Sequence, residues 1–297
     1  MRVEDNTYKL IYVDVTNRCN MKCNYCYAHN NLGKPDITKE WFEEVCKRLP
    51  KRVMFRLLGG EPTLHPDLFD LFEIAKKYGH IPTISSNGLR FRDRDYVKEL
   101  SKHKRVFVGI TMNGGINNDD VYEIIEGERI SHAKIEALEN LQEFNIKNFG
   151  ISTIIMRDVN DHFIIQDFFE LYRRYPIITY FKFRSASPMG RNIPSKPYDT
   201  KEYLKLIETI LPKEIIYEKP RMPMKREGEV CPDCCYHFAY EKNLTVSFVE
   251  FASKKSMKCW RRGKVLTDTF EIEPFFENME KESGNYAIQL DNLRCDK

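Results

Sequence analysis

Between residues 8 and 210, short β-branched and aromatic runs alternate with amphipathic stretches, and this alternation is the tightest constraint the chain places on its fold. Runs of strand length separated by helix-length crossovers predict a parallel sheet covered by helices. Six such units are legible. Residues 8–16 lead through a loop to a helix starting near Thr38, a good N-cap, and stopping at Pro50. Residues 53–57 precede a helix over 67–78, where Leu68, Leu71, Phe72 and Ala75 share one face. Strands over 82–86 and 106–111 precede helices over 96–100 and 131–144, the latter striped by Ile135, Leu138 and Leu141. Strands over 149–156 and 178–183 precede helices over 161–174 and 200–210. Six units fall short of the eight in a closed barrel, whose functional groups gather at the C-terminal ends of the strands.

The loop after the first run holds Cys19, Cys23 and Cys26 in Thr-Asn-Arg-Cys-Asn-Met-Lys-Cys-Asn-Tyr-Cys-Tyr. Thiolate is the soft ligand preferred by iron–sulfur clusters and zinc. A [4Fe–4S] cubane has four irons, each taking one external ligand, so three cysteines leave one iron open for a cofactor or substrate. Structural zinc needs a fourth ligand, for which His29 is a nearby donor, and three buried structural thiols are the remaining alternative.

The Cys-x3-Cys-x2-Cys spacing, with Tyr25 before the third cysteine, resembles the radical S-adenosylmethionine (radical SAM) superfamily, in its molybdenum-cofactor-synthase and SPASM/twitch-like branch. The resemblance implies an α/β fold, a partial (β/α)6 TIM-type barrel with a small cysteine-containing C-terminal extension. It implies that Cys19, Cys23 and Cys26 hold a [4Fe–4S] cluster, that the open iron binds S-adenosylmethionine, and that Tyr25 contacts the cofactor. The implied chemistry is reductive cleavage to methionine and a 5′-deoxyadenosyl radical that takes hydrogen from a substrate. An electron donor such as flavodoxin or ferredoxin is then expected.

Gly59-Gly60-Glu61-Pro62 follows the second predicted strand. Glycines let backbone approach a ligand closely, and a carboxylate can pair with an ammonium group; a simple turn is the other reading. In the family this motif contacts the amino group of S-adenosylmethionine. Ser85-Ser86-Asn87-Gly88 and Thr111-Met112-Asn113-Gly114 end the next two strands and resemble family runs that hold methionine or ribose groups, which makes Ser86, Asn87 and Thr111 candidate contacts, although Asn113 stands where an aspartate is usual. Asn-Gly is also plain turn chemistry. Apolar residues around Ile155 are expected to flank adenine, and Arg184, ending the sixth strand, to hold a carboxylate or an anionic substrate, unless it forms a surface ion pair.

Beyond Pro212 the alternation stops, which predicts domains at 1–211 and 212–297, with a linker over 218–229. Cys231, Cys234, Cys235, Cys259 and Cys295 suffice for one auxiliary [4Fe–4S] cluster with a thiol to spare, and the resemblance makes Cys234 or Cys235 a candidate hydrogen-atom donor. Zinc, with His237 as a ligand, is the other reading. Cys46 reads as a buried core thiol. Lys254, Lys255, Lys258, Arg261, Arg262 and Lys264 surround Cys259 and Trp260, with Glu250 and Asp268 among their neighbours, a mixture that argues against nucleic-acid binding.

A net charge of +3 over 297 residues is nearly balanced. Nine cysteines without an apolar N-terminal leader or a membrane-length apolar run fit metal or redox ligands in a cytoplasmic protein. The expected function is radical SAM chemistry on a peptide or natural-product precursor. The alternatives are a nucleotide- or lipid-modifying radical SAM enzyme and a noncatalytic iron–sulfur or zinc protein.

Overall fold

A computed structural model describes residues 3–5, 10–26, 35–186, 198, 202, 205–206, 235–240, 244–249, 264–266, 272–274 and 288–291. Six strands run parallel in chain order: β1 (Leu10–Thr16), β2 (Met54–Gly59), β3 (Ile81–Ser86), β4 (Phe107–Thr111), β5 (Phe149–Ile155) and β6 (Ile178–Ser185). The helices between them are α1 (Lys39–Arg48), α2 (Leu68–Lys77), α3 (Arg94–Leu100), α4 (Asp119–Glu126), α5 (Ser131–Glu143) and α6 (Ile164–Arg174). This is the α/β partial barrel expected, and Thr38 caps α1 by accepting from the Trp41 amide. Of the expected sixth helix, 202, 205 and 206 are described and helical.

Strand parity divides the sheet into two faces. Ile11, Val13 and Val15 of β1, Phe55 and Leu57 of β2, and Val108 and Ile110 of β4 point to the helices and pack with Phe42, Val45, Leu71 and Phe72 in one large core. Cys46 lies in that core, as expected, 1% exposed. The opposite face carries Tyr12, Asp14, Arg56, Thr83, Ser85, Phe107, Gly109 and Tyr180. The Arg56 guanidinium lies 5.3 Å from the centre of the Tyr12 ring, and Phe107 meets Tyr180 edge-on at 6.0 Å. Only a small residue fits at position 150, because a Cβ there would crowd Phe107 and Tyr180.

Five strands extend the same sheet. At the β6 edge, β8 (Leu244–Val249) pairs parallel with β6 and β7 (Cys235–Tyr240) pairs antiparallel with β8. At the other edge, β11 (Ile288–Asp291) pairs antiparallel with β1, followed by β9 (Lys264–Leu266) and β10 (Ile272–Pro274). The described strands after residue 212 thus lie along both edges of the barrel sheet. No helix among the described residues is long and apolar enough to cross a membrane.

The element the sequence reading missed is α4. It is inserted between β4 and α5, so the fourth unit has two helices. Its signals were present: Asn118 accepts from the Val121 amide as N-cap, Asp119 and Asp120 occupy the first turn, and Gly127 ends the helix with φ +83°.

Candidate functional site

The three thiols sit in the loop leaving the C-terminal end of β1, and the backbone holds that loop from two sides. On one side the Gly60 and Glu61 amides donate to the Thr16 and Arg18 carbonyls, both at 2.7 Å. On the other, the Asn24 amide and side chain donate to Ile125 and Ile124 of α4 at 3.0 and 2.7 Å. The two glycines have a definite task. A Cβ at Gly59, which has φ +129°, would run into the Thr16 carbonyl oxygen, and one at Gly60 into the Arg18 carbonyl oxygen. What they approach closely is the cysteine loop itself.

Cys19, Cys23 and Cys26 are half-buried. Two small apolar clusters wall them: Met21, Tyr122, Ile130 and Ala133 against Cys19 and Cys23, and Val121, Ile125, Ile154, Met156 and Ala186 against Tyr25. Burial pushes the Cys23 thiol up, with charges on Glu126, Cys19 and Cys26 adding to the effect and Lys134 opposing it. Among the described residues no three His, Cys, Asp or Glu side chains converge on a single metal ion. Three soft donors on one loop suit a cubane, whose irons each take one thiolate, and the apolar walls beside them suit a group that must be kept from water.

Glu61 is 1% exposed, and both carboxylate oxygens are engaged. Oε1 accepts from the Thr63 amide (3.1 Å), the Thr63 hydroxyl (2.7 Å) and the Ser86 hydroxyl (2.8 Å), and Oε2 accepts from the Asn87 amide (2.7 Å). Burial raises its pKa above the ordinary carboxylate value, and these donors pull it part of the way back. The carboxylate thus ties the ends of β2 and β3 together, and Glu61, Ser86 and Asn87 form one unit. Asn87 extends it by donating to the Asn20 side chain at 2.8 Å, inside the cysteine loop.

A second buried network continues beneath the mouth. Lys134 of α5, fully buried, donates to the carbonyls of Asn87 (2.6 Å) and Thr111 (2.8 Å) and pairs with Glu126 of α4 at 2.9 Å. Glu126 accepts from the Asn113 amide and side chain at 3.2 and 3.0 Å. Asn113 Oδ1 accepts from the Ile154 amide (2.8 Å) and the Thr153 hydroxyl (3.1 Å), and Asn160 donates to the Asn113 carbonyl at 2.9 Å. Sequence reading missed Glu126 and Lys134, because two ionisable residues on separate helices carry no sign of pairing until the fold brings them together. Asn113 stood out only as a departure from aspartate; here its amide donates to Glu126 while its oxygen accepts from β5, a division an aspartate could not make.

Tyr25, Arg184 and Thr111 fall around the same mouth, and Ile155 does not. Tyr25 is half-buried; burial raises its phenol, with Cys23 and Glu126 adding to the effect and Arg184 opposing it. Arg184 is half-buried near the end of β6, with its Nε buried and without a partner. Thr111 ends β4, its hydroxyl 3.4 Å from that of Ser152. Ile155 corrects the expectation: it is 0% exposed and belongs to the helix-facing core, whereas Ile154, of the opposite parity, packs with Tyr25. Cys235 begins β7, opposite Val249. His29, Cys231, Cys234, Cys259, Cys295, the linker over 218–229 and most of the basic stretch lie outside the described residues.

Comparison with known proteins agrees with this geometry. The radical SAM superfamily model matches residues 13–171. The 7,8-dihydro-6-hydroxymethylpterin dimethyltransferase of Methanocaldococcus jannaschii is 28% identical over 165 residues, which are 53% of this chain and 32% of that protein. A GTP 3',8-cyclase of Clostridium botulinum is 28% identical over 184 residues, 60% of this chain and 56% of the cyclase. The chain thus spans about a third to a little over half of these relatives. Streptococcus suis SuiB, solved with its precursor peptide SuiA, shares the fold with a TM-score of 0.56 and 19% identity over 68% of this chain and 44% of SuiB. With its thiol loop, its glycine-backed strand end and its partial barrel, the chain belongs to the radical SAM superfamily of enzymes, whose cofactors are a [4Fe–4S] cluster and S-adenosylmethionine.

Proposed function

We propose that this chain is an enzyme that reductively cleaves S-adenosylmethionine and takes a hydrogen atom from a peptide or natural-product precursor. The observation that carries this reading is the clamped loop of three half-buried thiols at the C-terminal mouth of the barrel. Cys19, Cys23 and Cys26 would hold the cluster. When bound, the cluster and S-adenosylmethionine supply the 5′-deoxyadenosyl radical. The chain supplies position and dryness. The backbone of Gly59, Gly60 and Glu61 shapes the wall beside the loop, Thr111 and Asn87 line the mouth, Tyr25 and Ile154 form its apolar side, and the Arg184 guanidinium is placed for a carboxylate. The Glu61 carboxylate acts by holding Ser86 and Asn87, so any contact with an ammonium group in this reading falls to the backbone around it.

Residues 212–297 form an extension, with Cys231, Cys234, Cys235, Cys259 and Cys295 as ligands of an auxiliary cluster or, for Cys234 or Cys235, as a hydrogen-atom donor. A low-potential donor such as flavodoxin or ferredoxin would deliver the electron, and the setting is cytoplasmic. The extension and the shared fold with SuiB support a peptide substrate. A second reading, a nucleotide-like heterocycle, is favoured by the two 28% identical relatives, named for a pterin and for GTP.

Anaerobic reconstitution with iron and sulfide, then dithionite and S-adenosylmethionine, tests the activity. Formation of 5′-deoxyadenosine is expected; its absence with a fully loaded, reduced cluster would overturn the reading. Iron retained in a Cys19→Ala/Cys23→Ala/Cys26→Ala variant would report the auxiliary cluster.

A further inference from the structure

The helix-free face of the sheet holds a carboxylic acid that the cofactor site does not use. Asp14 lies on β1, two residues below Thr16, and is 9% exposed, yet its Oδ1 is buried without a hydrogen-bond partner. A buried polar atom in that state is costly unless something is meant to meet it. Thr83 repeats the pattern on the same face of β3: it is 2% exposed, and its hydroxyl also lacks a partner.

The register explains why this wall has room. Asp14 stands opposite Leu58, and the row continues through Ser85, Gly109, Gly150 and Tyr180. Ser85 and Gly109 leave the row low on β3 and β4, whereas Phe107 and Tyr180 close over Gly150, and Ser85 is solvent-exposed although β3 lies inside the sheet. Ionisable groups of this face are Tyr12 beside Asp14, Arg56 on β2, and Tyr180, Lys182 and Arg184 on β6; β3 and β4 add Thr83, Ser85, Phe107 and Thr111. The nearest cation by register, Arg56, lies one row down against the Tyr12 ring. Burial alone raises the Asp14 carboxyl, to about 7, with no cation offsetting it.

We propose that Asp14 and Thr83 form a subsite for a protonated amine of the substrate, with the Asp14 carboxylate as counter-ion and the Thr83 hydroxyl as a second acceptor. An ammonium group carries three donors and no acceptor, which suits an orphan carboxylate oxygen and an orphan hydroxyl on one face, although Thr83 lies on β3 in the row of Arg56, one row below Asp14. An anion would face an unneutralised carboxylate. This subsite rests on the radical SAM reading only for its place in the reaction: it puts the amine on the barrel wall directly below the loop that carries the thiols.

The test uses the full chain with its cluster reconstituted and two probes of equal length, n-pentylammonium and n-pentanol, with binding followed by ligand-observed NMR. The ammonium is expected to bind at least about tenfold more tightly than the alcohol, as a charge-assisted contact requires. Because the ammonium stays cationic while Asp14 titrates near 7, its affinity is expected to fall about tenfold from pH 8 to pH 6. In Asp14→Asn both the preference and the pH dependence should vanish. Equal binding of the two probes by the wild-type protein, no binding of either, or a preference that survives in Asp14→Asn overturns the proposal. The wild-type comparison and its pH series need no variant to fold. Formation of 5′-deoxyadenosine is measured separately: a missing product sinks the radical reading, whereas a missing amine preference beside normal product sinks the subsite.

Discussion

Glu61 and Asp14 are both buried acids on the barrel sheet, but only Glu61 is surrounded by donors. It lies just past the end of β2 and receives four hydrogen bonds from Thr63, Ser86 and Asn87, whereas Asp14 sits mid-strand with an orphan oxygen. The same contrast holds more widely. The mouth is a finished scaffold in which Lys134, Glu126, Asn113 and Asn160 answer one another, and the wall below it keeps two polar atoms in reserve. Satisfied acids hold a structure in place, and unsatisfied ones mark where a ligand completes it.

The sharpest way to separate scaffold from chemistry is Cys23→Ala. It should abolish 5′-deoxyadenosine formation and leave the iron of the first site, about four per chain, unbound, while the apo-protein unfolds at nearly the wild-type denaturant concentration. A large loss of stability instead would make that thiol part of the scaffold.

Next in size is Lys134→Met, which leaves Glu126 buried and unpaired. It should cost about 3–5 kcal/mol in urea unfolding. Adding Glu126→Gln should recover a good part of this, because the amide still reaches Asn113 without an isolated charge. A Lys134→Met loss below about 1 kcal/mol would show that the mouth is not the coupled unit its geometry suggests.

Asp14 should behave in the opposite sense. Its carboxyl titrates near 7 in the folded chain and near 4 in the unfolded one. The folded state therefore holds the proton more tightly, and this residue's contribution to stability is full below pH 4 and is lost as the pH rises to 7. The loss amounts to at most about 4 kcal/mol. Asp14→Asn should remove that slope and leave the protein more stable than wild type at pH 8. An unchanged stability–pH profile would contradict the burial argument.

Glu61→Gln should cost about 1–3 kcal/mol, since one of its four donors then faces an amide NH2. Tyr122→Phe should cost about 1 kcal/mol by removing the hydroxyl that donates to the Gly115 carbonyl at 2.9 Å. Both are read by chemical denaturation, and equal losses at the two positions would erase the special standing of Glu61.

The legible parts of the molecule were those encoded within short stretches of chain. Strand and helix alternation, the Thr38 cap and the Cys19–Cys23–Cys26 spacing are all local, and the structure agrees with the first two and places the thiols together in one loop. The role of Gly59 and Gly60 was half visible: their freedom was read correctly, but the surface they approach is Thr16 and Arg18, known only once β1 and β2 are paired. Which of Ile154 and Ile155 reaches the mouth is not visible in the apolar run itself, because it depends on the parity of the whole strand. Asp14 looked like ordinary alternation in a half-buried strand, and nothing in its neighbours along the chain shows that its oxygen goes unanswered.

The sheet also sets an order of events during synthesis. β1, which launches the thiol loop, is bordered on one side by β2 and on the other by β11, residues 288–291. The β2 partner emerges early, but the outer edge of β1 must wait until more than 270 further residues have left the ribosome. Throughout that interval the strand presents bare backbone donors and acceptors, the situation in which β-strands recruit foreign partners. The thiol loop is therefore attached to a strand with a long-lived open edge, and the strand that closes this edge is the last of the described ones to emerge.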